Sequence, residues 1–307
     1  MRFFSRAKPK RMAATIDSPL AADFAKLMAQ QAQPSTPVNF QQQSEGAIDM
    51  AADYAVTVAR NLVGNLTSLG IELTGKRFLE LGPGPGFGST LVMGESCAAV
   101  AVADRFLAGW QPQFHPRLYE RMRQLIGRPS RLLDAVHTAG SYDGLIEMFD
   151  APAHSMGQVA SASYDVVISN AVLEHVGQLP LAARELFRIT ASGGHGYHQV
   201  DFRNHRDFEL PLEHLLLSPA DFQRVLDATN GEVGCQHRVR NVSQMFEAAG
   251  FVVSSVNVYL NASRDYLEHF EPRLRRSDSI YRDWPVEELG KIGAAIVMYK
   301  PKPADLQ

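Results

Sequence analysis

Cysteine is scarce: Cys97 and Cys235 are the only two in 307 residues. That is too few for a disulfide framework or a thiolate metal site, and both read as isolated thiols of a reducing, cytoplasmic compartment. Long apolar runs are lacking as well, with no stretch reaching the roughly 18 residues of a spanning helix. The basic N-terminus MRFFSRAKPKRMAA is not followed by the apolar segment of about 7 to 15 residues that a secretory signal needs. Nor does one sign of charge dominate: 30 Lys and Arg against 33 Asp and Glu leave a formal net charge of −3, which offers nucleic acid no global attraction. There is no internal repeat, and no second glycine-rich strand-turn-helix that would signal another nucleotide domain. What is present, 45% hydrophobic and 21% charged residues, is the profile of a soluble globular chain able to build a sizeable core.

Residues 1–45, rich in Ala, Gln, Pro and Ser, read as a flexible leader with at most one short helix at 21–31. Between 48 and 69 the apolar residues Ile48, Ala52, Tyr54, Ala55, Val58, Leu62, Leu66 and Leu69 recur every three or four places, which predicts an amphipathic helix. Strands and helices then alternate: strand 77–81, helix from about 86, strand 98–103, helix 116–126, helix 131–138, strand 145–149, strand 164–169, helix 181–190, a Ser192-Gly193-Gly194 stop, and strand 196–200. That order predicts a parallel sheet. Two further strands, one within 246–260 and one at 292–301, bring the count to seven. One α/β domain over 46–301 is expected, followed by a tail at 302–307. Segments 202–240 and 261–291 are surplus to the sheet, carry aromatics among charges, and read as a substrate cap at the strand ends.

The string LELGPGPGFG at 79–88 sets Gly82, Gly84, Gly86 and Gly88 directly after an apolar strand, so the chain must turn sharply and approach something closely. A dinucleotide fingerprint spaces its glycines G-x-G-x-x-G to cradle a pyrophosphate. Here the third place falls on Phe87, and Pro83 and Pro85 lack the N–H donors such a cradle uses. A ligand without phosphate but with cationic amino and sulfonium groups suits Glu80 at the strand end. Asp104 closes the second strand, about where such folds present an acid to ribose hydroxyls.

These residues resemble a known family. FLELGPGPGFG is similar to motif I of class I S-adenosylmethionine-dependent methyltransferases, and VADRF to the acidic end of their second strand. YDVVISNAVLEHV resembles their fourth-strand motif, and LFRITASGGHGYHQVD their following helix, turn and fifth strand. The resemblance implies a Rossmann-like, doubly wound seven-stranded sheet, mostly parallel with an antiparallel last strand, plus helical cap insertions, and it implies S-adenosylmethionine as cofactor. Carried over by position, Glu80 faces the methionine amino group, Gly82, Gly84 and Gly86 line the cofactor, and Asp104 takes the ribose. In FDAPAHSM, Asp150 is the nearest acid for adenine, with His154 where an acid is often seen, and Asn170 lies beside the sulfonium.

Methyl transfer is a displacement at carbon, so side chains must orient the acceptor and remove its proton. His175, His198, Asp201 and His205 fall at or beyond the ends of the fourth and fifth strands and are the candidate bases. HxxDxxxH without a second acid cluster assigns no metal. The stretch HQVDFRNHRDF, with HRVRNVSQMFEAAGF further on, resembles a bacterial subgroup with an H-x-(I/V)-D-x-(R/K)-x-H signature often linked to surface polysaccharide biosynthesis. Gln236 and His237 replace that subgroup's usual Asn-Arg, which leaves Arg238 and Arg240 to hold a phosphate or carboxylate of the acceptor. The expected activity is methylation of a small-molecule or glycan acceptor at oxygen, because SNAV stands where nitrogen-directed relatives carry NPPY. N-methylation and a non-catalytic, cofactor-binding scaffold are the alternatives.

Overall fold

The computed structural model describes residues 44–228 and 233–306. The leader, with its expected helix at 21–31, lies outside them except for its last two residues. The Ser44 hydroxyl accepts the Ala47 amide and caps helix α1, Glu45–Ser68. This helix buries Ile48, Ala52, Val56, Ala59, Leu62 and Leu66, each worth about 1 to 3 kcal/mol on leaving water. Tyr54 and Leu69, assigned to the apolar face by periodicity, are exposed instead. From Leu62 onward the buried face keeps a spacing of four, and Leu69 lies past its last turn.

The chain then runs β1 (Arg77–Leu81), α2 (Gly88–Met93), β2 (Ala99–Asp104), α3 (His115–Ile126), α4 (Arg131–Ala139), β3 (Glu147–Asp150), β4 (Tyr164–Asn170), α5 (Leu179–Ile189) and β5 (Thr190–Asp201). After it come α6 (Pro219–Ala228), α7 (Val239–Ala249), β6 (Val252–Asn261), α8 (Arg264–Leu274), the short α9 (Val286–Leu289) and β7 (Lys291–Tyr299). The seven strands form one sheet in the order β3-β2-β1-β4-β5-β7-β6. β7 is antiparallel to both neighbours, and the β1–β2, β1–β4, β2–β3 and β4–β5 pairs are parallel. This is the doubly wound mixed sheet with an antiparallel last strand.

Residues alternate between the two faces as the pleat requires. Phe78, Val100, Val102, Val166, Ile168 and Tyr197 pack under α1 to α4. Leu79, Ala101, Ala103, Val167 and Val200 pack against α5 and α7. The glycine pair after α5 does not end that helix as expected. α5 stops at Ile189 and β5 starts at Thr190, with Gly193 (φ 75°) taking up an irregularity where the β4–β5 register shifts.

The two surplus segments share a core of their own. Leu212, Leu215 and Leu216 from the first meet Tyr266, Phe270, Leu274, Tyr281 and Leu289 from the second. The Tyr266 hydroxyl donates to buried Glu213, which also pairs with Arg273. These bonds fix the first segment, and with it the stretch that leaves β5.

Candidate active site

The glycine turn is held by its neighbours as much as by its own backbone. A Cβ on Gly82 (φ 62°) would come within 2.3 Å of a Val172 methyl, one on Gly86 within 2.5 Å of Leu118, and one on Gly88 within 2.5 Å of Ala55. Gly86 is therefore a packing glycine against α3, whereas a Cβ on Gly84 (φ 69°) would meet nothing within 4 Å. Tyr119 donates to the Gly86 carbonyl at 2.9 Å, and His115 Nε2 lies 2.9 Å from the Pro85 carbonyl. The buried Phe87 is left-handed at φ 47°, a conformation disfavoured for an aromatic residue and held here by packing.

Glu80 faces this turn from behind. It is buried, and its two oxygens accept from Ser89 Oγ at 2.8 Å and Thr90 Oγ1 at 2.5 Å. Burial pushes its carboxyl up to about 7 against the lowering effect of both hydroxyls. The placement corrects the expectation that Glu80 points at a cofactor: in the pleat it shares a face with Phe78, and the carboxylate is spent on locking the turn to α2.

In front of the turn, at the carboxyl ends of β1, β2, β3 and β4, lies a cleft lined by Gly82, Asp104, Arg105, Ala151, Ala153, His154, Val172 and His175, among others. Asp104 Oδ1 accepts the Phe106 amide at 2.8 Å, and burial raises its carboxyl above the ordinary range. Asp150 pairs with Asp104 across β2 and β3 but is exposed and absent from the lining, where Ala151 to His154 stand instead. That too is a correction: the chain turns immediately after Asp150 and presents the next four residues to the cleft. Asn170 donates to the Tyr54 hydroxyl at 3.2 Å, tying the end of β4 to α1.

Beyond Asn170 the chain makes an elbow at Ala171 (φ 54°) and enters a single 3₁₀ turn, Leu173–His175. This turn places two adjacent titratable side chains, Glu174 and His175. His175 lines the cleft, and its ring centroid is 4.9 Å from that of His205, which the segment after β5 brings alongside. Glu174 is 1% exposed; one of its oxygens accepts the Asp201 amide at 3.3 Å, and burial, with the nearby Asp201 charge, pushes its carboxyl up to about 8. Its other oxygen, Oε2, has no hydrogen-bond partner among the described residues.

Asp201 is clamped by Arg203, whose side chain donates to both carboxylate oxygens at 2.5 to 3.1 Å. Burial acts to raise its pKa, but the His205 and Arg203 contacts outweigh burial and hold the carboxyl well below the usual range. With both oxygens held by Arg203, Asp201 is placed as a partner of Arg203 and His205 rather than as the proton acceptor, which corrects its assignment as a base. His205 Nε2 lies 3.8 Å from the same carboxylate, an ion-pair distance too long for a hydrogen bond.

His198 is no base either. The pleat turns it to the far face, where it is 1% exposed, stacks on Phe246 at 5.3 Å and lies 2.8 Å from Ser169 Oγ through Nδ1. Burial drives its pKa down to about 3. Arg238 is likewise sealed in: its guanidinium donates to the carbonyls of Phe202, Cys235, Gln236 and His237, and so pins the start of α7 to the end of β5. It is a backbone clip with no surface to offer an acceptor. Arg240 is exposed and sits over the Trp284 ring at 5.9 Å.

Glu174 escaped the sequence reading although it adjoins His175 in NAVLEHV; one residue of offset in a 3₁₀ turn decides burial, and no periodicity announces it. Tyr54 escaped because a helical period assigned it to the core.

The fit to an adenosyl cofactor rests on this cleft. It presents a carboxylate for a diol, small and apolar residues for a flat ring, and a glycine turn whose prolines withhold phosphate donors. A doubly wound sheet in this strand order with such a cleft defines a class I S-adenosylmethionine-dependent methyltransferase. The chain belongs to that family: residues 49–256 match the family model for a methyltransferase domain. No curated protein matches the sequence.

Among solved structures, a candidate sarcosine dimethylglycine methyltransferase of Galdieria sulphuraria is 13% identical, with a TM-score of 0.47, over 80% of this chain and 86% of its own. An S-adenosylmethionine-dependent methyltransferase of Mesorhizobium loti is 14% identical, with a TM-score of 0.42, over 75% and 93%. Phosphoethanolamine N-methyltransferase 2 of Haemonchus contortus, bound to S-adenosylmethionine, is 14% identical, with a TM-score of 0.47, over 85% of this chain and 58% of that one. No helix among the described residues is long and apolar enough to cross a membrane.

Proposed function

We propose that the chain transfers the methyl group of S-adenosylmethionine to a hydroxyl of a small-molecule or glycan-type acceptor, with residues 46–301 as the catalytic domain and 202–240 and 261–291 as its cap. The observation that carries this reading is the His175–His205 pair, 4.9 Å between ring centroids, at the edge of the cleft that holds Asp104. Asp104 would take the ribose hydroxyls, Gly82 and Gly84 would line the methionine end, and Ala151 to Ala153 with Val172 would enclose the adenine. The cofactor supplies an electrophilic methyl and a neutral leaving group. The chain's part is to hold an acceptor oxygen in line and activate it, a task for which the histidine pair is placed. Asp201 serves as the anionic support of His205. An acceptor belonging to surface polysaccharide biosynthesis fits the H-x-V-D-x-R-x-H stretch.

The experiment is transfer from cofactor labelled in its methyl group to a panel of sugars, glycolipid precursors, phenols and amines, with mass spectrometry of the product. A methyl ether is expected. His205→Ala should lower transfer by about a hundredfold, the scale of lost proton-transfer assistance, while S-adenosylhomocysteine affinity stays within about twofold. An N-methyl product would overturn the choice of oxygen, and an unchanged rate in His205→Ala would overturn the role of the pair.

A further inference from the structure

From the geometry around the 3₁₀ turn we infer that Glu174, His175 and His205 form a site for one first-row divalent cation of the zinc, iron or manganese class. The inference deepens the function proposed above and rests on an acceptor placed at this histidine pair. One carboxylate oxygen and one ring nitrogen from each histidine all lie within 4.8 Å of one another. Glu174 Oε2, on a side chain 1% exposed, is unspent, with no hydrogen-bond partner among the described residues; His205 Nε2, also buried, has none there either and meets Asp201 Oδ2 only at 3.8 Å. A buried carboxylate oxygen left unpaired is costly, a penalty that a bound cation would remove.

The fold explains why the three meet. β4 and β5 are parallel neighbours, so the residues that follow their carboxyl ends emerge side by side. The Ala171 elbow and the single 3₁₀ turn then direct two consecutive residues toward the segment leaving β5. Spacing within HxxDxxxH assigns no metal because its middle acid, Asp201, is occupied by Arg203; the third donor comes from the other strand.

Two imidazoles and a carboxylate suit these cations better than Mg²⁺ or Ca²⁺, which favour oxygen donors alone. Three protein ligands leave a coordination position open. Because His175 also lines the cleft, a cation held there would lie beside an acceptor hydroxyl in it and would lower that hydroxyl's pKa, the proton leaving to solvent as the oxygen takes the methyl group.

The test is titration of the full chain, stripped with a chelator, with Co²⁺, followed by visible absorption and calorimetry. One equivalent per chain, ligand-field bands in the visible, and displacement by Zn²⁺ are expected. Glu174→Gln and His205→Ala should each weaken Co²⁺ binding at least tenfold, and His198→Gln should not. Should Glu174→Gln fail to fold, the partly exposed His205→Ala carries the test. A folded wild-type chain that takes up no Co²⁺ at millimolar concentration, or a His205→Ala chain that binds it as tightly, overturns the inference. S-adenosylhomocysteine binding in the same sample separates the two ideas: cofactor binding without Co²⁺ removes the cation and leaves the methyltransferase reading standing.

Discussion

His198 supplies a sharp separation of catalysis from packing. Its imidazole is enclosed between Phe246 and Ser169, and burial lowers its pKa from 6.5 to about 3. The unfolded chain takes up this proton as pH falls through 6.5, whereas the folded chain resists until about 3. The stabilisation is therefore complete above 6.5 and is lost as pH falls toward 3. At 1.36 kcal/mol per tenfold, the contribution lost is about 2 kcal/mol by pH 5 and about 5 kcal/mol in full. Chemical denaturation at pH 8, 7, 6 and 5 measures it. His198→Gln should cost about 1 to 2 kcal/mol at pH 8, through lost stacking and packing. It should also abolish about 2 kcal/mol of the decline between pH 8 and pH 5. Methyl transfer at pH 8 should stay within about twofold of the parent. Equal acid slopes in the two proteins would refute the neutral core histidine, and a hundredfold loss of transfer in a folded variant would restore His198 as a base.

Two further substitutions test the supports of the site. Glu80, raised by burial to about 7, contributes in the opposite sense: its stabilisation is full below 4.5 and is lost as pH rises through 7, about 3 kcal/mol by pH 8. Glu80→Gln should remove that slope from the difference between denaturation curves at pH 5 and pH 8; an unchanged slope would mean the carboxyl ionises freely beside Ser89 and Thr90. Arg238→Met should destabilise the fold by about 2 to 3 kcal/mol, the scale of buried charge-assisted hydrogen bonds, with the acceptor KM unchanged. A raised KM at unaltered stability would make Arg238 an acceptor contact.

The sheet was largely legible because β1, β2 and β4 are short apolar runs ended by Gly82, Asp104 and Asn170, and such runs leave little freedom in period or direction. That Gly82 and Asp104 line a cleft at the strand ends was legible for the same reason: a residue that ends a buried strand in this fold has one place to go. Side-chain facing was harder to read. Glu80 and His198 lie within strands, where one step of the pleat exchanges cleft for core, and the sequence around each is compatible with either. Arg238 and Asp201 were misread because long-range partners, the carbonyls after β5 and the Arg203 fork, absorb charges that a local reading leaves available. Glu174 depended on the Ala171 elbow, a left-handed alanine that no turn preference predicts.

Calorimetric titration with S-adenosylhomocysteine decides whether the cleft beside Asp104 holds the adenosyl cofactor. One site per chain with a micromolar Kd, about −8 kcal/mol, and no heat with NAD are expected. Asp104→Ala should weaken binding by about 1.5 to 3 kcal/mol, the scale for a lost charged hydrogen-bond partner, in a protein that melts as the parent does. Binding of S-adenosylhomocysteine by folded Asp104→Ala at parental affinity, or tight binding of NAD in its place, would contradict that placement.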